Sequence, residues 1–251
     1  MNLADALGLK EREMISLIGA GGKTTLLFRL AKELRDGGAK ILVTTTTKIF
    51  KPTKPHVDRL FLVEDPNVLL STTSQIQAPA IIGAGHNVDS EGKLLGLPSA
   101  WLDQLERSRQ FDAILVEADG AASRLLKVPS ELEPVIPDRS QLVAWNMAIK
   151  IVGKPLQPNW VHRAERAISL LNATADTLVT KELIVRLLEH PLGCLKGVPP
   201  GSRKVAVLNQ ADSPEEVDMA KDLGRSLGRF GFDRVVITSH VDDAPVKDLI
   251  S

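Results

Sequence analysis

The chain has 251 residues, 43% apolar and 25% charged, enough for a globular protein to bury a sizeable core. Its 31 basic and 31 acidic side chains cancel, which argues against electrostatic binding of nucleic acid or of an anionic membrane. One cysteine, Cys194, excludes an internal disulfide, and no Cys/His cluster has zinc spacing.

The opening stretch MNLADALGLKERE has no basic-then-apolar leader pattern, and no run of ~18 apolar residues follows anywhere. A cytoplasmic location with no membrane contact is the expectation. Met14–Ile18 reads as a buried strand, and leucines 26, 27, 30 and 34 make a helical stripe over Thr24–Asp36 that Gly37-Gly38 stops. Lys40–Thr44 and Arg59–Val63 are further strands. Asp65-Pro66 caps a helix running to Ile76. Ala80–Leu97, with IIGAGHNV, DSEG and KLLGL, predicts an antiparallel hairpin inserted at 78–98. Ser99–Ser108 is helical. Ala113–Val116 and Leu142–Met147 are strands, and His162–Asn172 and Lys181–Glu189 are helices, the second capped by Thr180. Gly193–Gly201 reads as a flexible connector. Val205–Leu208 is a buried strand, Ser213 and Glu216 form a capping box, and Arg234–Ile237 is the last clear strand. Apolar, unalternating strands that alternate with helices predict a mostly parallel sheet covered on both faces, within a single domain spanning 1–251.

Four places carry chemistry. The first is Gly19-Ala20-Gly21-Gly22-Lys23-Thr24-Thr25, between a strand and a helix. Glycine amides and a helix N-terminus together attract phosphate. Lys23 can reach the terminal phosphates, and the Thr24 hydroxyl can meet Mg²⁺. The full pattern G-x-x-x-x-G-K-[ST] would need glycine where Leu17 stands, so this is a shortened G-x-x-G-K-T loop, of the kind found in amide-bond ligases that phosphorylate a carboxylate. The second is Thr44-Thr45-Thr46-Thr47, four hydroxyls at the carboxyl end of a strand, with Thr45 the candidate metal ligand. The third is Glu117-Ala118-Asp119-Gly120, whose carboxylates are candidates for holding Mg²⁺ or orienting water, followed by Arg124 and Lys127 as candidate contacts to an anionic substrate. The fourth is Asn209-Gln210-Ala211-Asp212, which has the spacing of guanine-reading Asn-Lys-x-Asp turns, with Thr238-Ser239 as the loop covering the base. An aspartate there pairs with the two N–H groups of guanine, and adenine would leave it unpaired.

GAGGKTT, LVTTTTKIF, IIGAGHNVDSEGKLLGLP, ILVEADGAASRLLKVPSELEPVIP, VHRAERA and VLNQAD together resemble the YqeC family, over nearly the whole chain. The resemblance implies a three-layer fold similar to P-loop NTPases, and a role as accessory factor in making or inserting the selenium-containing cofactor of molybdenum hydroxylases. It also carries over the His162-Arg163 pair as substrate contacts. The resulting expectation is Mg²⁺-dependent binding and slow hydrolysis of a nucleoside triphosphate, GTP over ATP, with Lys23, Glu117 and Asp119 as the catalytic group. Slowness follows because no catalytic arginine is evident. A kinase or ligase acting on a small acceptor, and a non-catalytic carrier of a phosphorylated pterin cofactor, are the rival expectations. The partners are then a nucleoside triphosphate and a molybdenum hydroxylase or its cofactor.

Overall fold

The computed structural model describes residues 1–241 and 243–251. In chain order the elements are α1 (Leu3–Leu7), β1 (Glu13–Gly19), α2 (Lys23–Asp36), β2 (Lys40–Thr45), β3 (Lys48–Phe50), β4 (Arg59–Leu62), α3 (Pro66–Thr73), β5 (Ala80–Gly85), β6 (Asn87–Val88), β7 (Lys93–Leu95), α4 (Ser99–Arg107) and β8 (Ala113–Glu117). They continue with β9 (Leu126–Lys127), β10 (Leu142–Ala148), β11 (Val161–His162), α5 (Ala164–Leu171), α6 (Lys181–Glu189), β12 (Arg203–Asn209), α7 (Pro214–Leu227), β13 (Arg234–Thr238) and β14 (Val246–Ile250).

Nine strands form one sheet in the order β14-β13-β12-β10-β1-β8-β2-β5-β4, parallel throughout except for β14, which runs antiparallel to β13. Every residue of β1, β2, β5, β8 and β10 is buried, as strands covered on both faces must be. Alternation along β1 divides its side chains between two cores. Met14 and Ile18 join a cluster containing Leu69 of α3, Leu102 of α4, Ala167 of α5, Ile184 of α6 and Leu223 of α7. Ile15 and Leu17 join a second cluster with Leu3 of α1 and Leu26, Leu27 and Leu30 of α2. Five helices therefore cover one face and two the other. The Ser213–Glu216 capping box and Pro214 start α7 as the sequence predicts.

Several elements differ from expectation. Ala80–Gly85 is not half of an inserted hairpin; it is a core strand pairing parallel with β2 and β4. Only β6 and β7 form the antiparallel turn, and β7 also pairs with β3 to make a separate three-stranded sheet. A buried apolar strand reads alike in either setting, because its partners lie far away in sequence. The helix expected from His162 begins at Ala164. His162 itself stands in β11, paired parallel with β9 at Lys127. The expected flexible connector is pinned instead. Cys194 is buried with its amide on the Leu187 carbonyl, and the Lys196 ammonium donates to the carbonyls of Ser130, Glu131 and Glu133 at 2.7, 2.6 and 3.1 Å.

Candidate functional site

The glycine loop leaves the carboxyl end of β1 at the middle of the sheet, with β10 on one side and β8 on the other. Gly22 has φ +120°, and a Cβ there would lie 2.3 Å from the Asn209 side-chain nitrogen. Gly21 has φ +74°, and a Cβ would lie 2.2 Å from the Ala148 amide. Side chains are excluded at both positions by conformation and by space.

Three of the loop amides expected to grip phosphate are committed within the protein. Gly19 N–H donates to Asp119 Oδ2, Ala20 N–H to the Asn146 carbonyl and Gly21 N–H to the Arg124 carbonyl, each at 2.9 Å. Gly19, Ala20 and Gly21 thus shape the loop and do not line it with donors. The amides of Gly22, Lys23, Thr24 and Thr25 have no backbone or side-chain acceptor among the described residues. The cradle is therefore the first turn of α2 rather than the whole glycine run.

Lys23, Glu117 and Asp119 come together, all buried. The Lys23 ammonium lies 3.0 Å from Asp119 Oδ1 and 3.6 Å from Glu117 Oε1, and donates to the Gly19 carbonyl at 2.7 Å. The register pairs Glu117 with Leu17 on one side and Thr45 on the other, which sets its carboxylate beside the loop. The Thr24 hydroxyl donates to Glu117 Oε2 at 2.8 Å. Burial alone would lower the Lys23 pKa, but the two carboxylates outweigh it and hold it above its ordinary value. Burial lifts the Glu117 carboxyl above the usual carboxylate range, against the pull of Lys23 and Thr24. A hydroxyl and a carboxylate in contact form a hard oxygen pair that suits Mg²⁺.

The threonine run serves the scaffold. Thr45 is fully buried; its hydroxyl donates to the Glu117 carbonyl at 2.7 Å and accepts from the Thr47 amide at 3.0 Å. Its proton and one of its two lone pairs are thus spent on the scaffold, so Thr45, the metal ligand the sequence suggested, ties the end of β2 to β8 and to the turn that follows. Thr44 donates to the Ala84 carbonyl and Thr46 to the Val135 carbonyl. The run bolts β8, β5 and a distant loop to the end of β2.

Lys127, expected as a contact to an anionic substrate, is the second largest fully buried side chain among the described residues. Its ammonium donates to the Gly120 carbonyl at 2.5 Å and to Glu133 Oε2 at 2.8 Å, and lies 3.2 Å from Asp119 Oδ2. Arg163 pairs with the same Glu133 oxygen at 2.8 Å. Burial pulls the Lys127 pKa down despite Asp119 and Glu133. Burial alone would raise Glu133, but Lys127 and Arg163 hold it below the usual carboxylate range. Lys127 is therefore tied into the protein, while Arg163 shares its Glu133 partner from a half-buried position. Arg124 and His162 do line a cavity of about 700 Å³ whose floor is Gly21 to Thr25. Burial, Arg163 and Lys127 lower the His162 pKa. Lys48 and Lys93, from β3 and β7, wall the same cavity. Sequence reasoning missed both, because nothing local marks them; the three-stranded sheet delivers them. It also missed Glu133, which lies in a loop, and Asn146, whose carbonyl holds Ala20.

The turn after β12 meets the loop directly. Asn209 donates to the Gly21 carbonyl at 2.7 Å and accepts from the Thr238 hydroxyl at 3.0 Å. Asp212 stands at the surface, where it accepts from Ser239 Oγ at 2.6 Å and from Lys150 at 2.5 Å. Burial opposes the shift, but Lys150 and Ser239 keep its carboxyl below the usual range. Asn209 thus has the bracing part that the Asn-x-x-Asp spacing suggested, and Thr238-Ser239 sits over that turn. Lys150, unmarked in the sequence, is the additional partner.

A sequence family described as "YqeC protein" matches residues 15–165. An Escherichia coli (strain K12) protein named "Uncharacterized protein YqeC" is 34% identical over 218 residues, covering 86% of this chain and 84% of that one. The chain belongs to the YqeC family.

Proposed function

We propose that this YqeC family protein is a P-loop nucleotide-binding protein that takes a nucleoside triphosphate with Mg²⁺, GTP in preference to ATP, and hydrolyses it slowly to serve maturation or insertion of a selenium-containing molybdenum cofactor. The cofactor role comes from the family resemblance alone. One observation carries the nucleotide reading: the Lys23 ammonium, the Thr24 hydroxyl and the Glu117 carboxylate converge beneath the uncommitted amides of the first turn of α2.

The residues divide the work. The amides of Gly22 to Thr25 and the positive end of α2 hold the β- and γ-phosphates. Lys23 exchanges part of its contact with Asp119 and Glu117 for phosphate oxygens. Thr24 and Glu117 fit Mg²⁺, which when bound neutralises phosphate charge. The Glu117 carboxylate, made more basic by burial, is a better acceptor for a hydrogen bond from the attacking water. Asp119, held by the Gly19 amide, Lys23 and Lys127, positions the loop and does not meet the reacting atoms. Asp212 reads the guanine edge once Lys150 gives way.

Calorimetry with Mg²⁺ and GTP or ATP tests this reading directly. Binding of GTP with measurable phosphate release supports it, and Lys23→Ala is expected to weaken binding by at least about a hundredfold. Asp212→Asn is expected to shift preference towards xanthosine triphosphate, whose ring carries an oxygen where guanine carries an amino group. If no nucleoside triphosphate produces heat, the proposal fails.

A further inference from the structure

A second cavity, of about 530 Å³, lies on the other side of the first turn of α2 and shares Thr24, Thr25 and Phe50 with the first. Its aromatic part is built from separate elements. Phe28 of α2 stacks on His56 with ring centroids 4.5 Å apart and planes at 27°. Phe50 of β3 is 73% exposed, an unusual position for a large apolar ring. Arg29, Lys32, Arg35 and Lys51 also line the cavity, and among the described residues no carboxylate does. Some of that charge is shared outside it: Lys32 and Arg35 pair with Asp36, and Arg29 donates to His240 Nδ1 at 3.3 Å. Lys51 is exposed and has no ion-pair partner among the described residues.

We propose that this cavity is a second ligand site, for a planar heteroaromatic ring carrying a phosphate group. The ring lies against Phe50 and the Phe28–His56 pair, where stacking is tolerant of ring identity. The phosphate meets Lys51, beside Lys32 and Arg35, in a wall that has no acid among the described residues. Joined to the first cavity at Thr24 and Thr25, the bound molecule sits beside the phosphate end of a nucleoside triphosphate. It is thus placed as an acceptor or companion to the nucleotide rather than as a rival for its cradle. That placement rests on the nucleotide reading; the ring-and-phosphate recognition does not.

The experiment is calorimetric titration of the full chain with flavin mononucleotide, guanosine 5′-monophosphate and inorganic phosphate, with and without a saturating non-hydrolysable GTP analogue and Mg²⁺. Expected is binding of at least one ring compound, tighter than inorganic phosphate by about tenfold or more, and retained in the presence of the analogue. His56→Ser combined with Lys51→Glu, both at exposed positions that do not line the first cavity, is expected to weaken that binding at least about tenfold and to leave analogue binding unchanged. The proposal is overturned if neither ring compound binds, if inorganic phosphate binds as well as they do, if the analogue displaces them, or if the double variant binds them normally. Failure of the analogue itself to bind the native protein overturns the nucleotide reading instead. The titrations without analogue, on native and variant protein, then still decide the second site.

Discussion

Two turns meet the glycine loop, one at the end of β8 and one after β12, and they are built from different chemistry. After β8, Glu117 and Asp119 are 5% and 2% exposed, and their charges are met by the equally buried Lys23 and Lys127. After β12, the buried part is neutral: Asn209 between the Gly21 carbonyl and Thr238. The charged part, Asp212, is left at the surface with Lys150. A charge inside the protein cannot be altered without orphaning its partner, whereas a charge at the rim is screened by water. The first turn is therefore constrained by folding and by chemistry together. The second keeps its bracing residue, Asn209, inside and its charged residue, Asp212, where substitution is cheap.

The comparison breaks first at Lys127. Lys127→Met leaves buried Asp119 and half-buried Glu133 without their shared cation and is expected to cost about 3–5 kcal/mol, read by urea denaturation. A loss under about 1 kcal/mol would mean the β8 turn is no more constrained than the rim. Asn209→Ala comes next, at about 1–3 kcal/mol, since it leaves the Gly21 carbonyl and Thr238 hydroxyl without their partner.

A smaller effect depends on pH. The Glu133 pKa is below its ordinary value of 4.5 in the folded state, so its contribution is present above the unfolded value and lost as pH falls through the folded one. Melting temperature followed from about pH 6 down to about pH 3 is expected to drop, and Glu133→Gln to flatten part of that drop. The smallest effect is at the rim. Asp212→Asn is expected to change stability by less than about 1 kcal/mol while altering base preference; a larger loss of stability would erase the contrast between the two turns.

What the sequence made legible follows the same division. The strand–loop–helix around Lys23, the acidic end of β8 and the Asn209 turn are local patterns, and each was readable because glycine, capping and burial signals lie within a few residues. The burial of Lys127 was not readable. Its partners, Asp119 and Glu133, are near in sequence, but what seals it is the pairing of β9 with β11 and the pinned segment around Cys194, both distant. Thr45 misled for a similar reason. A threonine at a strand end looks open to ligand until the neighbouring strand claims its proton and the turn that follows claims a lone pair. The core strand β5 reads as half a hairpin because DSEG marks a turn between the apolar runs IIGAGHNV and KLLGL. In the structure, a Cβ at Gly85 would lie 2.4 Å from a Leu94 methyl, so glycine there admits the side chain of β7.

The antiparallel strand β14 has a practical consequence. Its residues 246–250 occupy the hydrogen-bonding edge of β13, with Leu249 opposite Val236, Asp248 paired with Lys221 and Ile250 seated over Gly224 of α7. Shortening the chain by these few residues would uncover a row of backbone donors and acceptors along an apolar, parallel-sheet strand, a template for sticking to other copies. A preparation clipped near residue 245 should therefore be watched for precipitation before any loss of binding is blamed on the site.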